Sequence, residues 1–255
     1  MASSQKYRSV SGKSYEYRDP EEEEDNVTNM FDVVLQGRMR EKIVLQRLIV
    51  IARLPDHLAD KTEIGAHYER LNFQLSKQYI LDHMTGLLLI YPSCVLHVIE
   101  SSREVLLSVL KDLKEMQQQQ EWTLLEDPKV VFMDNHPESR LFQQWSYKVL
   151  SADQALRDTE AKRLDEEEES TETVVCTLLS ALQKLGEHMD ISKKAGPGSV
   201  LDETPELIVS QKVLDKLLTR DELLTPKQYL QMYDLPLHIN MDFGQVIRSS
   251  CLTTV

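Results

Sequence analysis

The sequence predicts an α+β fold: a ferredoxin-like β-α-β-β-α-β sheet domain with an appended short helix and strand, followed by a helical C-terminal extension. Four apolar, β-branched runs between residues 45 and 133 have strand length rather than helix length. Two stretches with apolar residues at helical spacing are interleaved with them. Pro92-Ser93 is a tight connection between the second and third runs, and it supplies the β-β step in the middle of the order.

Leu45 to Arg53 (LQRLIVIAR) is a buried strand ended by Pro55. Ile64, Tyr68, Leu71, Leu75 and Tyr79 then fall on one face of a helix. Met84 to Tyr91 and Cys94 to Glu100 are the two strands of a hairpin. Ser102 opens the second helix, with Glu104 early and Leu106, Val109, Leu110 and Leu113 on one face. Gln117 to Gln120 is its exposed end. Pro128 to Met133 is the fourth strand, Ser139 to Gln144 a short helix, and Trp145 to Leu150 a fifth strand. Two helices on one face of such a sheet leave the other face to appended elements, a ligand or a partner.

The flanks differ in composition. Residues 1–40 are expected to be a disordered acidic tail, with the self-repelling run Glu21 to Asp25. Residues 41–150 hold the sheet domain. Residues 151–170, with the acidic run Asp165 to Glu169, are expected to be a linker. In residues 171–255, Thr173 to Met189 is an amphipathic helix, with Val174, Leu178, Leu182 and Leu185 in step. Ala195-Gly196-Pro197-Gly198 breaks the pattern. Leu207 to Leu218 repeats the helical spacing, and Thr225-Pro226 caps a third helix that ends near Pro236. Three short helices do not easily form a core of their own, so they are expected to pack on the sheet domain or on a partner.

Charge narrows the function. The 255 residues include 29 basic and 42 acidic ones, a formal net charge of −13. That opposes nucleic acid and an anionic membrane surface as partners. Three dispersed cysteines, Cys94, Cys176 and Cys251, make no disulfide framework and no CxxC pair. The first 18 residues hold no apolar run of signal-peptide length, and no apolar stretch reaches membrane-spanning length. The expectation is a soluble protein of a reducing compartment.

Met84 to Leu113 reads MTGLLLIYPSCVLHVIESSREVLLSVLKDL. This resembles the BLUF domain, a blue-light sensor that binds FAD between its two helices. The family's Thr-Gly-hydrophobic strand, tight turn, strand ending in Glu, and helix with an early Val match Thr85, Gly86, Glu100 and Val105. Its final helix and strand match Arg140 to Leu150, with Phe142 and Trp145 in place, and its first strand matches Arg47-Leu48-Ile49. The resemblance covers residues 45 to 150.

The photochemical positions do not follow. Where the family has a Tyr in the first strand, this sequence has Val50. The Asn that holds the flavin ring matches Tyr79, or Gln78 if the register slips by one. The switching Gln of the third strand matches His97, and the Met or Trp near the last strand matches Tyr147. Val50 offers neither redox chemistry nor a hydrogen bond. Tyr79 lacks the two-way amide that a flavin edge needs, and each unpaired buried group costs about 1–3 kcal/mol. The resemblance with these four departures implies a pocket filled by side chains and no cofactor.

The layout of the whole chain, with its acidic tail, degenerate BLUF-like centre and helical C-terminal part, is similar to a family of mammalian testis-expressed proteins. That implies expression in male germ cells, and it suits a place in the sperm flagellum with cytoskeletal or axonemal protein partners. BLUF-type sheets often pair, so a homodimer is open.

Phosphate-binding glycine loops, a nucleophile elbow and H-E-x-x-H are lacking, and no two of the seven histidines have metal-ligand spacing. His97 is a surviving cofactor or metal contact together with Glu100, or a histidine hydrogen-bonded inside the filled pocket, with Tyr79 as a partner. Glu100 and Glu104 are a carboxylate pair for catalysis, or groups that serve the turn and the second helix's N-terminus. Cys94 is a core thiol. The C-terminal Thr253-Thr254-Val255 fits a ligand of sheet-edge peptide-binding domains. Two functions follow: a non-enzymatic interaction or structural protein, or a flavin-binding light or redox sensor with a rearranged pocket. An unrecognised enzyme is a third.

Overall fold

Five consecutive residues, Leu48 to Ala52, are almost fully buried, and the strand that they form, β1 (Gln46–Arg53), lies inside the sheet with a neighbour on each edge. A computed structural model describes residues 44–80, 82–118, 123–156, 169–191 and 201–234, without the side chains of 190 and 191. The expected N-terminal tail, the acidic linker run apart from Glu169, the Gly-Pro break and the C-terminal triplet lie outside the described residues.

β2 (Thr85–Ile90) and β3 (Cys94–Ser101) form the expected hairpin, closed by the Tyr91 N–H donating to the Cys94 carbonyl at 2.8 Å. β4 (Glu126–Asp134) and β5 (Trp145–Val149) complete a sheet of order β4-β1-β3-β2-β5. β1 is antiparallel to β3 and β4, β2 is antiparallel to β3, and β5 runs parallel to β2. The first four strands therefore have the ferredoxin-like order, and β5 extends the β2 edge. Gly86 is required where β2 meets β3: its φ is +152°, and a Cβ would stand 2.1 Å from the Val98 carbonyl oxygen.

The strand period of two sorts the core into two layers. Leu48, Val50, Ala52, Leu88, Ile90, Val95 and Ile99 face α1 (Thr62–Gln78) and α2 (Arg103–Gln118). The apolar positions read from the sequence put Ile64, Tyr68 and Leu75 of α1, and Leu106, Val109, Leu110 and Leu113 of α2, into that layer. Ile49, Ile51, Leu87, Leu89, Leu96 and Val98 point to the opposite face.

All but the last of the C-terminal helices cover that second face. After a short α3 (Ala152–Leu156) come α4 (Thr171–Ile191), a 3₁₀ turn at Pro205–Leu207, and α5 (Gln211–Leu218). Val174, Leu178, Leu182 and Leu185 of α4, with Leu214, Leu217 and Leu218 of α5, join the core of the second layer. Each such burial contributes about 2 kcal/mol relative to exposure. The buried Tyr91 hydroxyl donates to the Val209 carbonyl at 2.8 Å. The chain then crosses the β4 edge, where the Val130 N–H donates to the Leu224 carbonyl at 2.7 Å. α6 (Pro226–Tyr233), opened by a Thr225–Gln228 capping box, packs beside α2 on the first face, with Leu230 in that core.

Two sequence expectations are corrected. Ser139 to Gln144 is not a helix but a chain of bends, because its backbone donors go to a distant carboxylate: Leu141 and Phe142 donate their N–H groups to Glu100. The helix expected from Leu207 starts only at Gln211, because Ile208 is extended and, with Val209, is buried in the core.

Candidate functional site

The pocket positions are set by strand register. Val50 pairs with His97, His97 with Leu88, and Leu88 with Tyr147, so these residues form one row across β1, β3, β2 and β5. Val50 and His97 are buried and Tyr147 is half-buried. Tyr79 sits just past the end of α1, half-buried against the same core layer, and its hydroxyl accepts from Gln78 Nε2 at 3.3 Å. Three of the four positions thus share the row, and Tyr79 lies at the helix end.

His97 does not bond to Tyr79. Its Nε2 accepts from the indole N–H of Trp145 at 3.1 Å, and its ring meets that of Tyr68 edge-on, with centroids 4.4 Å apart. Trp145 and Tyr147, two apart on β5 and so on one face, have ring centroids 6.1 Å apart. The Tyr147 ring lies over Gly65 of α1, where a Cβ would be 2.4 Å from a ring carbon. Burial, with a lesser contribution from the charge of His67, pushes the His97 imidazole down to about 3. It is therefore neutral near pH 7, with its proton on Nδ1 because Nε2 is the acceptor.

Tyr68 is the central ring of this layer. Burial, and secondly the nearby Asp112 charge, raise its phenol well above the ordinary range. His67 Nε2 and Asp112 Oδ2, 2.9 Å apart, tie α1 to α2, and the His67 ring stands edge-on to Tyr68 at 5.2 Å. The Tyr68 hydroxyl and His97 Nδ1 are buried without a hydrogen-bond partner. Each such group costs about 1–3 kcal/mol, which the apolar packing around it offsets.

These residues do not fit an isoalloxazine ring. Tyr68, His97, Trp145 and Tyr147 touch one another in succession, and Gly65 gives Tyr147 its room. The His97 nitrogen able to accept is already taken by Trp145, and Val50 has no polar atom. Among the described residues, no group of three or more His, Cys, Asp or Glu is placed to hold a metal ion. No described helix is long and apolar enough to cross a membrane. Burial pushes the Cys94 thiol up to about 12, as suits a core thiol.

The residues that carried the family resemblance have a structural task. Glu100 is fully buried at the end of β3. Its carboxylate accepts from Arg47 Nε at 2.8 Å, from the Thr85 hydroxyl at 3.1 Å, and from the Leu141 and Phe142 N–H groups. Arg140 donates to the Thr85 hydroxyl and the Glu100 carbonyl, both at 2.8 Å. Glu100 therefore pins residues 140–142 to the sheet rather than serving the α2 N-terminus, where Glu104 is exposed.

Sequence reasoning counted Tyr68 and Trp145 only as fold residues and passed over Gly65. The signals were present: Trp145 shares a strand face with Tyr147, and a glycine inside a helix costs about 1 kcal/mol, which points to a close approach.

A family model described as Testis-expressed protein 47 matches residues 44–235. Among solved structures, "BlrP1 BLUF" is similar at 18% identity over 43% of this chain and 66% of that one, with a TM-score of 0.33. "BlrB - a BLUF protein, dark state structure" is 18% identical over 52% of this chain and 96% of that one, with a TM-score of 0.33. Klebsiella pneumoniae BlrP1 with FMN and cyclic diGMP is 19% identical over 55% of this chain and 36% of that one, with a TM-score of 0.35. The chain spans just under two thirds of the first of these and little more than a third of the last.

Proposed function

The chain belongs to the testis-expressed protein 47 family, and from that premise we propose that it is a non-enzymatic interaction or structural protein of male germ cells, built on a BLUF-like frame that no longer takes flavin. Its partners are proteins of the cytoskeleton or axoneme, and its place is the cytoplasm or the sperm flagellum. The observation that carries this reading is the chain of ring contacts from Tyr68 through His97 and Trp145 to Tyr147, in the layer where a BLUF domain holds its ring. With Val50 on the first strand that strand offers no phenol, and none of the four packed rings carries an amide for a flavin edge.

The test is absorbance. The purified full-length chain is passed over a gel-filtration column and scanned across the near-ultraviolet and blue. A folded, colourless protein agrees with the proposal. A flavin band that co-elutes with the chain overturns it in favour of a sensor with a rearranged pocket.

A further inference from the structure

We infer that the cleft between α2, α6 and the end of β4 binds a small organic carboxylate with a flat apolar body. The cleft holds about 340 Å³, within the range of small-molecule sites. None of the four flavin-pocket positions lines it.

Its walls differ in chemistry. Leu106, Leu107 and Met133 give an apolar surface. Tyr229 and Tyr233 stand together beside it, ring centroids 4.7 Å apart, and offer aromatic faces for stacking. At the polar end Gln46 Nε2 donates to Asn135 Oδ1 at 3.0 Å.

Arg103 sets the charge. Although the chain has 42 acidic and 29 basic residues, the lining among the described residues contains one cation and no carboxylate. The acids beside the cleft are engaged elsewhere: Asp234 pairs with Lys111 at 3.0 Å, and Asp134 lies 3.8 Å from Arg47. Arg103 Nη2 donates to the Tyr233 carbonyl at 2.7 Å, which holds the guanidinium against α6. A guanidinium has five donors, so others remain for a carboxylate. The positive charge is also near enough to Tyr229 to oppose the upward push that burial gives its phenol. An anion with a flat apolar body matches all of these walls at once.

The experiment titrates the full-length chain with 2-naphthoate and, in parallel, with the neutral 2-naphthamide, by calorimetry. Naphthoate is expected to bind saturably. Arg103→Gln should weaken it about tenfold, as loss of one charge-assisted contact does, while leaving the amide unchanged. Arg103→Lys should recover part of the loss. Leu107→Trp, which fills the cleft, should remove both ligands with the circular dichroism spectrum retained; if that variant does not fold, the Arg103 pair decides alone. No binding of naphthoate to the folded full-length chain overturns the inference. So does an equal loss of acid and amide in Arg103→Gln.

Discussion

Trp145 on β5 reaches over β2 to donate its indole N–H to Nε2 of His97 on β3, at 3.1 Å. This bond assigns the imidazole's roles. Nε2 is an acceptor, Nδ1 keeps the hydrogen, and no charge is carried. The third-strand imidazole thus faces an indole from the same sheet.

A pH dependence follows from that neutrality. His97 in the folded chain is held down to about 3, from 6.5 for the free side chain. Between those values the unfolded chain takes up a proton that the folded chain refuses, so unfolding gains as pH falls. The His97 contribution is complete above pH 6.5 and is lost progressively toward pH 3. Urea titrations from neutrality downward should show stability falling by about 1.4 kcal/mol per pH unit beyond what His97→Leu shows. Parallel curves for the two proteins would contradict a buried neutral imidazole.

The same bond makes a double-mutant cycle informative. His97→Leu leaves the indole N–H without a partner, and Trp145→Phe leaves both ring nitrogens of His97 without one. Each single change should cost about 1–3 kcal/mol. The double variant removes both polar groups, so it should cost clearly less than the sum of the two. Simple additivity in urea unfolding would mean that the bond contributes nothing.

Gly65 and Tyr147 should show a change of sign. Gly65→Ala improves helix propensity by about 1 kcal/mol, yet its Cβ would meet the Tyr147 ring at 2.4 Å. The ring must swing out, and overpacking of this kind costs about 1–3 kcal/mol. Thermal unfolding should therefore find Gly65→Ala neutral to destabilising in the native sequence and stabilising in Tyr147→Ala. A stabilising effect in both backgrounds would show that the ring does not depend on the missing Cβ.

How far the sequence alone reached depended on whether the deciding contacts were local. The β1 run, the hairpin at Pro92-Ser93 and the helical spacing from Ile64 to Leu75 are local patterns, and the structure keeps them. Ser139 to Gln144 has a helix-like composition, but its backbone is claimed by Glu100, some 40 residues earlier. Ile208 and Val209 continue an apolar rhythm, yet burial against the sheet extends them. In the site, Val50, His97 and Tyr147 were found by their place in a pattern. That His97 answers to Trp145 rather than to Tyr79 depends on β5 lying beside β2 in parallel, a pairing of distant segments that no local spacing encodes.

Glu100→Gln tests the kept frame. The substitution preserves shape and one acceptor oxygen but removes the charge that faces Arg47, and one oxygen now shared by Thr85, Leu141 and Phe142 becomes a donor. Breaking a buried pair in this way costs about 3–5 kcal/mol. Urea unfolding should show that loss, and limited proteolysis should cut between residues 136 and 144 sooner than in the native chain. Unchanged stability would make Glu100 a bystander.

A chain ended at Leu150 contains every strand and both helices of the BLUF-like unit, and it should nevertheless fail to behave as a domain. It would lose α4 and α5 and so bare Ile49, Ile51, Leu87, Leu89, Leu96 and Val98 on the second face. Six such side chains amount to about 10 kcal/mol of lost burial, comparable with the whole stability of a typical domain. It would also lose Leu230 from the first face, and the Val209 carbonyl that satisfies the Tyr91 hydroxyl. The truncated chain should aggregate or bind a hydrophobic dye on gel filtration, and cooperative urea unfolding should vanish. A monodisperse fragment that unfolds cooperatively would mean that the C-terminal helices are accessory, with that apolar face free to receive a partner instead.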